Sequence, residues 1–67
     1  MDEYFVEKTI NTPEIDFNPQ EGVLKLTGRS IPEDPVDFYE NLIKKIHKYY
    51  KDPKENTRVD IYLEYIN

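Results

Sequence analysis

The segment PVDFYENLIKKIHKYYK, residues 35–51, carries a sustained helical period in a chain of 67 residues. Tyr39, Leu42, Ile43, Ile46 and Tyr50 recur at the spacing that stacks side chains on one face of a helix, with Val36 and Tyr49 at its flanks. Asp37, Asn41, Lys44, Lys45 and Lys48 take the opposite side. Asp34, just upstream, supplies a short carboxylate that can accept a first-turn N–H. Pro35 suits the first helical position, where its missing N–H would be unpaired in any case. Asp37 and Glu40 sit at the positive end of the helix dipole, Lys48 and Lys51 at the negative end. Asp52-Pro53 then closes the segment, because the residue before a proline is pushed out of helical geometry. The pattern predicts a helix over residues 35–51.

Downstream, Arg58-Val59-Asp60-Ile61-Tyr62-Leu63-Glu64-Tyr65-Ile66 alternates with period two. Val59, Ile61, Leu63 and Tyr65 share one face and Asp60, Tyr62 and Glu64 the other, which predicts a strand over residues 57–66 half-buried beneath the helix. Upstream, residues 14–18 and 23–29 read as two strands. Between them Asn18-Pro19-Gln20-Glu21-Gly22 is turn chemistry: proline presets the first turn residue and glycine accepts a left-handed conformation. These strands form a hairpin. A further strand is predicted over residues 4–9, ended by Thr12-Pro13. The order is strand, hairpin, helix, strand, which implies a crossover and a parallel pairing of the last strand with an earlier one. The fold class is therefore α/β (α+β): a small mixed sheet with an N-terminal hairpin, one amphipathic helix packed on it and a returning strand. One helix covers one face, so the other face and at least one edge stay open.

Composition limits what such a fold can do. A chain this short hides only ~60% of its unfolded surface on folding, so one thin core is the ceiling. No apolar residue is an alanine, so that core is made of large side chains. The absence of cysteine removes disulfides and thiolate zinc sites. No apolar run approaches the ~18 residues of a membrane-spanning helix, and the acidic start MDEYF is unlike a signal peptide. A net charge of −5 argues against non-specific nucleic-acid binding. Gly22 and Gly28 are too few for a Walker loop or a dinucleotide fingerprint. Residues 1–40 hold ten acids and three bases, residues 41–67 four acids and six bases, an asymmetry that helix-end charges largely explain.

Each cluster that could carry chemistry has a simpler structural account. Glu33, Asp34 and Asp37 could bind a divalent cation or act as acids and bases, but capping and dipole compensation already use them. Asp60 and Glu64 read as a solvated strand face. His47, the single histidine, stands among lysines at the border of the apolar stripe and reads as a helix-flank side chain packing its ring. Ser30 has no base that the sequence places against it. Lys44, Lys45, Lys48, Lys51 and Lys54 form a solvated helix face, with Glu40 and Lys44 paired one turn apart. Among the tyrosines, Tyr50 and Tyr65 fall on faces expected to be buried, leaving Tyr62 and Tyr49 as candidates for recognition. No active site, cofactor site or metal site emerges.

Specific wording adds to this pattern. Thr12-Pro13-Glu14-Ile15-Asp16-Phe17, Gly22-Val23-Leu24, Gly28-Arg29-Ser30-Ile31-Pro32-Glu33-Asp34, Asp37-Phe38-Tyr39 and the closing Leu63-Glu64-Tyr65-Ile66-Asn67 follow at close intervals. Together they resemble the SiaC-type regulatory phosphoprotein family, formerly a domain of unknown function, over nearly the whole chain. Ile31 stands where members commonly have tyrosine. The resemblance implies a fold like that of STAS-domain antagonists, here an incomplete STAS-like sandwich. It implies a bacterial, cytoplasmic, non-enzymatic switch that binds and activates a diguanylate cyclase, with a kinase and a PP2C-type phosphatase as further partners. It also implies a phosphoacceptor in a Thr-Ser-Ser run immediately after Asn67, so none within the chain, and hence a truncated single domain over residues 1–67. Gly28-Arg29-Ser30 is expected on the strand-to-helix turn. Candidate switch-loop or partner-facing residues are Arg29, Ser30, Glu33, Asp34, Tyr62 and Asn67. A phosphoryl group adds about −1.5 to −2 charge and would repel a docked partner. The alternative is a small adaptor or homo-oligomer that pairs through its exposed strand edge.

Overall fold

The computed structural model describes residues 3–66 and builds strands β1 (Tyr4–Val6), β2 (Glu14–Asn18) and β3 (Val23–Ser30), helix α1 (Pro35–Tyr50) and strand β4 (Arg58–Ile66). The sheet order follows the chain, β1-β2-β3-β4. The first three strands are antiparallel neighbours, and β4 returns parallel to β3. This is the mixed sheet, hairpin, helix and returning strand that the period changes imply.

Local chemistry sets the element ends. In the hairpin, the Asn18 side-chain oxygen accepts the N–H groups of Gln20 and Glu21 at 3.1 and 3.2 Å, and Gly22 turns the chain at φ 73°. β1 stops at Val6 rather than running to residue 9. The Thr9 hydroxyl accepts the N–H groups of Asn11 and Thr12 at 3.2 and 3.0 Å, and this local turn competes with the ladder. β3 runs through Ser30, with Gly28 at φ 121° and a register shift against β4 between Gly28 and Ser30. Gly28, Arg29 and Ser30 therefore lie in the strand, not on the strand-to-helix turn. Asp34 caps α1 by accepting the Asp37 N–H at 3.1 Å, and Pro35 opens the helix as its sequence predicts.

The helix face differs from the sequence expectation. Leu42 and Tyr49 are buried, with Phe38 and Tyr39 packed beside them against Ile15 and Phe17. Lys45, assigned to the polar side by its charge, instead reaches over the Tyr4 ring at 5.4 Å. Val36, Ile43, Ile46 and Tyr50 are exposed, Tyr50 at 79%. Exposure of the Tyr pair is thus the reverse of that predicted: Tyr49 is core and Tyr50 is surface. The physical reason is that the apolar arc is wider than one contact face. The helix turns its Phe38–Leu42–Lys45–Tyr49 side to β1–β3, and the rest of the arc points away.

β4 shows the same mismatch from the other side. Leu24 and Leu26 of β3 pack against the core, and their register partners Val59 and Ile61 share that sheet face. Val59 and Ile61 are nevertheless 53% and 56% exposed, not half-buried under the helix, because α1 sits over the first three strands. The Tyr65 side chain, placed on that face by alternation, lies outside what the structure describes.

Candidate functional site

Alternation along β3 and β4 puts Lys25, Thr27 and Arg29 beside Asp60, Tyr62 and Glu64 on the sheet face away from α1. The register aligns Asp16, Lys25 and Asp60 in one cross-strand row, so opposite charges alternate across three strands. Arg29 Nε reaches Glu64 Oε2 at 3.3 Å, and Arg58 Nε reaches Asp60 Oδ2 at 2.9 Å. Apart from the partly shielded Asp60, these ionic groups are largely exposed, so such pairs arrange the surface more than they stabilise the fold. Tyr62 stands exposed among them, a large ring with a polar tip suited to recognition.

The sequence candidates separate into three groups. Arg29 and Tyr62 belong to this exposed sheet face, near one another across the β3–β4 ladder. Glu33 and Asp34 lie exposed on the turn before α1, with Asp34 committed to the cap. Ser30 is corrected as a partner-facing group: it is 2% exposed and its hydroxyl shares a hydrogen bond with the Tyr39 hydroxyl, tying the end of β3 to the helix. Asn67 lies outside the described residues.

Beside this face is an open depression of about 330 Å³ lined by Lys8, Thr9, Ile10, Gly28, Arg29 and Glu64. It holds charge of both signs and the hydroxyl of Thr9, whose oxygen is already used in its own turn. Nothing there pairs a nucleophile with a base. Among the described residues no three His, Cys, Asp or Glu side chains gather as metal ligands, and no buried side-chain polar atom is left without a partner. His47 is exposed on the helix rather than packed into the core. The arrangement can recognise a surface; it holds no constellation for covalent or acid–base chemistry.

Sequence reasoning missed the part played by Tyr49. Its hydroxyl bonds Thr57 at 2.8 Å and accepts the Lys54 N–H at 3.0 Å, while its ring meets Phe17 edge-on at 5.7 Å. The side chain thus fixes the loop that leads from α1 into β4. The available signal was position: Tyr49 is one helical heptad beyond Leu42.

No curated protein matches the chain in sequence. The solved structure of SiaC of Pseudomonas aeruginosa superposes with TM-score 0.92 at 27% identity, covering 100% of this chain and 55% of that one. Apo-SiaC from the same organism gives the same values. A chain from the crystal structure of the diguanylate cyclase SiaD in complex with its activator SiaC, also from Pseudomonas aeruginosa, matches with TM-score 0.86 at 26% identity, covering 96% of this chain and 52% of that one. This chain therefore spans about half the length of the solved structures it matches. The family model described as SiaC family regulatory phosphoprotein matches residues 6–67. The motifs, the mixed sheet and the helix cap agree with that match along nearly the whole sequence, and the chain belongs to the SiaC family.

Proposed function

We propose that this chain is a bacterial, cytoplasmic, protein-binding regulator without catalytic activity of its own. Residues 1–67 serve as the strand-and-helix part of a phosphorylation-switched activator whose partner is a diguanylate cyclase. A kinase and a phosphatase set the state of the switch. The observation that carries this reading is the match of residues 6–67 to a family of regulatory phosphoproteins. The likeness to a chain of the cyclase–activator complex supports it. So does the site chemistry, which offers exposed paired charges and an aromatic ring. Among the described residues no helix is long and apolar enough to cross a membrane.

In this reading Arg29, Glu33 and Tyr62 face the partner, Asp34 holds the turn in shape, and Ser30 acts from inside by anchoring β3 to Tyr39. Asn67 leads into the switch segment. The test is calorimetric titration of the chain against a SiaD-type cyclase, with cyclic di-GMP formation followed in parallel. Binding with a rise in product is expected. Tyr62→Ala should weaken binding about tenfold, as truncation of an interface tyrosine commonly does, while leaving the melting temperature in place. No heat of binding and an unchanged output of cyclic di-GMP would refute the reading.

A further inference from the structure

Three segments meet at the end of the sheet where β4 begins. Residues 52–57 lead from α1 into β4 and carry no apolar side chain other than Pro53. A segment of that composition has little packing to hold it, so its hold comes from polar contacts. Two backbone bonds finish the helix: the Lys51 N–H donates to the Lys48 carbonyl at 3.3 Å and the Asp52 N–H to the Tyr49 carbonyl at 3.1 Å. Past Asp52, both hydrogen bonds described for the segment end on one atom. The Tyr49 hydroxyl oxygen accepts the Lys54 N–H at 3.0 Å and stands 2.8 Å from the Thr57 hydroxyl. The next residue starts the parallel ladder: Val23 is opposite Arg58, and the Arg58 N–H donates to the Gly22 carbonyl at 2.8 Å. Gly22 also packs directly on this fastening, since an added Cβ would stand 2.7 Å from the hydroxyl and 2.8 Å from the Asn56 carbonyl oxygen.

We propose that residues 52–57 are a strap fastened by the Tyr49 hydroxyl. Its release is a local opening that lifts Arg58 off Gly22 while α1 and the Ile15–Phe17 core stay folded. Tyr49 suits the part because its two ends are held differently. Its ring is buried and meets Phe17 edge-on at 5.7 Å, so the core fixes where the hydroxyl stands. The hydroxyl itself bonds only the strap. Breaking those two bonds leaves the helix and the ring in place, and frees the chain between Asp52 and Arg58. Arg58 is the end residue of the ladder, so it frays with the strap: once the strap is slack, the entropy of closing the whole loop falls on the one Gly22 bond. This coupling makes the segment one unit instead of a row of independent contacts. Opening also parts the strap from the hairpin turn, widening a depression of about 160 Å³ lined by Pro19, Gln20, Tyr49, Asp52 and Lys54. The device is thus a release for the first end of β4, the strand that carries Asp60 and Tyr62.

This inference goes beyond the proposed cyclase partnership and stands without it. Native-state amide exchange of the chain tests it, with Lys54 and Arg58 as reporters. Arg58 is the more informative, because its own bond does not involve Tyr49. Tyr49→Phe keeps the ring against Phe17 and removes the fastening, so the Lys54 and Arg58 amides should both exchange about tenfold faster. Thr57→Val keeps the shape of the side chain and removes one of the two bonds, and it should speed both amides about threefold. Ser30→Ala supplies the contrast. It removes the hydroxyl tie to Tyr39 at the other end of β3, so it should speed the slowest amides of β2 and β3 and leave Lys54 and Arg58 unchanged. A Tyr49→Phe chain in which Lys54 speeds up and Arg58 does not would overturn the single unit. If neither amide responds to Tyr49→Phe, the hydroxyl is not the fastening. If Ser30→Ala speeds the strap and the core alike, the strap opens only with the whole fold, and the proposal is equally overturned.

Discussion

At residue scale, Gly22 and Tyr49 are closely coupled. Gly22 holds φ 73°, and a Cβ there would stand 2.7 Å from the Tyr49 hydroxyl and 2.8 Å from the Asn56 carbonyl oxygen. Gly22→Ala should therefore cost about 2 kcal/mol, combining the penalty of the left-handed region with displaced neighbours. Gly28 offers a contrast: it has φ 121° but its nearest obstacle, the Pro13 Cα, is 3.6 Å from the built Cβ, so Gly28→Ala meets backbone strain without a clash. Tyr49→Phe leaves the Lys54 N–H and Thr57 hydroxyl short of a partner, an expected loss of about 1–3 kcal/mol. Because the Tyr49 hydroxyl is also one of the two atoms in the way at Gly22, the double variant should be less destabilised than the sum, with a coupling of about 0.5–1 kcal/mol. Urea unfolding of the two single variants and the double variant measures this. Strict additivity would mean that the loop moves aside and the close approach does not matter. Ser30 makes a related point on a smaller scale, since a hydroxyl read as surface-facing proves to be an internal tie to Tyr39.

At the scale of elements, the sharpest contrast lies within α1. Leu42→Ala removes a buried side chain from the contact with the sheet and should cost about 2–5 kcal/mol. Ile43→Gln, on the bare flank, should change the stability of the isolated monomer by no more than about 0.5 kcal/mol. Helical circular dichroism during denaturation separates the two, and a large loss for Ile43→Gln would put the flank back in the core. Asp34→Ala removes the cap that accepts the Asp37 N–H, with an expected loss of about 1 kcal/mol. Sequence periodicity made every element legible because each signal is local: Asp34-Pro35 opens the helix, Asn18-Pro19 and Gly22 turn the hairpin, and Val59 to Leu63 alternate along a strand. What it did not show is which part of a wide apolar arc touches the sheet. Tyr49 and Tyr50 are adjacent, equally apolar, and separated only by where β1–β3 lie, which is a property of the packing and not of the segment. The candidate site was legible to the same degree. Tyr62 could be placed on a strand face by alternation, whereas Arg29, expected on the strand-to-helix turn, lies in β3. Ser30 faces inward by the same alternation as Leu24, Leu26 and Gly28 once β3 is known to run through it, but its partner is a tyrosine from another element, which no local pattern shows.

At the scale of the whole molecule, one helix packed on one face of the sheet sets the stability of the described residues. The Cα radius of gyration is 11.9 Å, where a compact chain of this length would have about 11 Å, and the extents are 33 × 20 × 17 Å. Among the described residues the buried apolar core is Ile15, Phe17, Leu42 and Tyr49, while Val36, Ile43, Val59 and Ile61 are exposed. A core this small places the monomer at the low end of the usual range, about 3 kcal/mol for a chain of this length at ~0.05 kcal/mol per residue. Salt should hardly change that value, since Arg29–Glu64 and Glu40–Lys44 are exposed pairs whose attraction is weak and screened. Native-state amide exchange in dilute solution should show the longest protection in β2, β3 and the Leu42–Tyr49 turns of α1. The three-residue edge strand β1 should open first. A monomer with uniform protection above about 6 kcal/mol, near the middle of the ordinary per-residue range for this length, would mean that the size of the buried core is not what limits this fold.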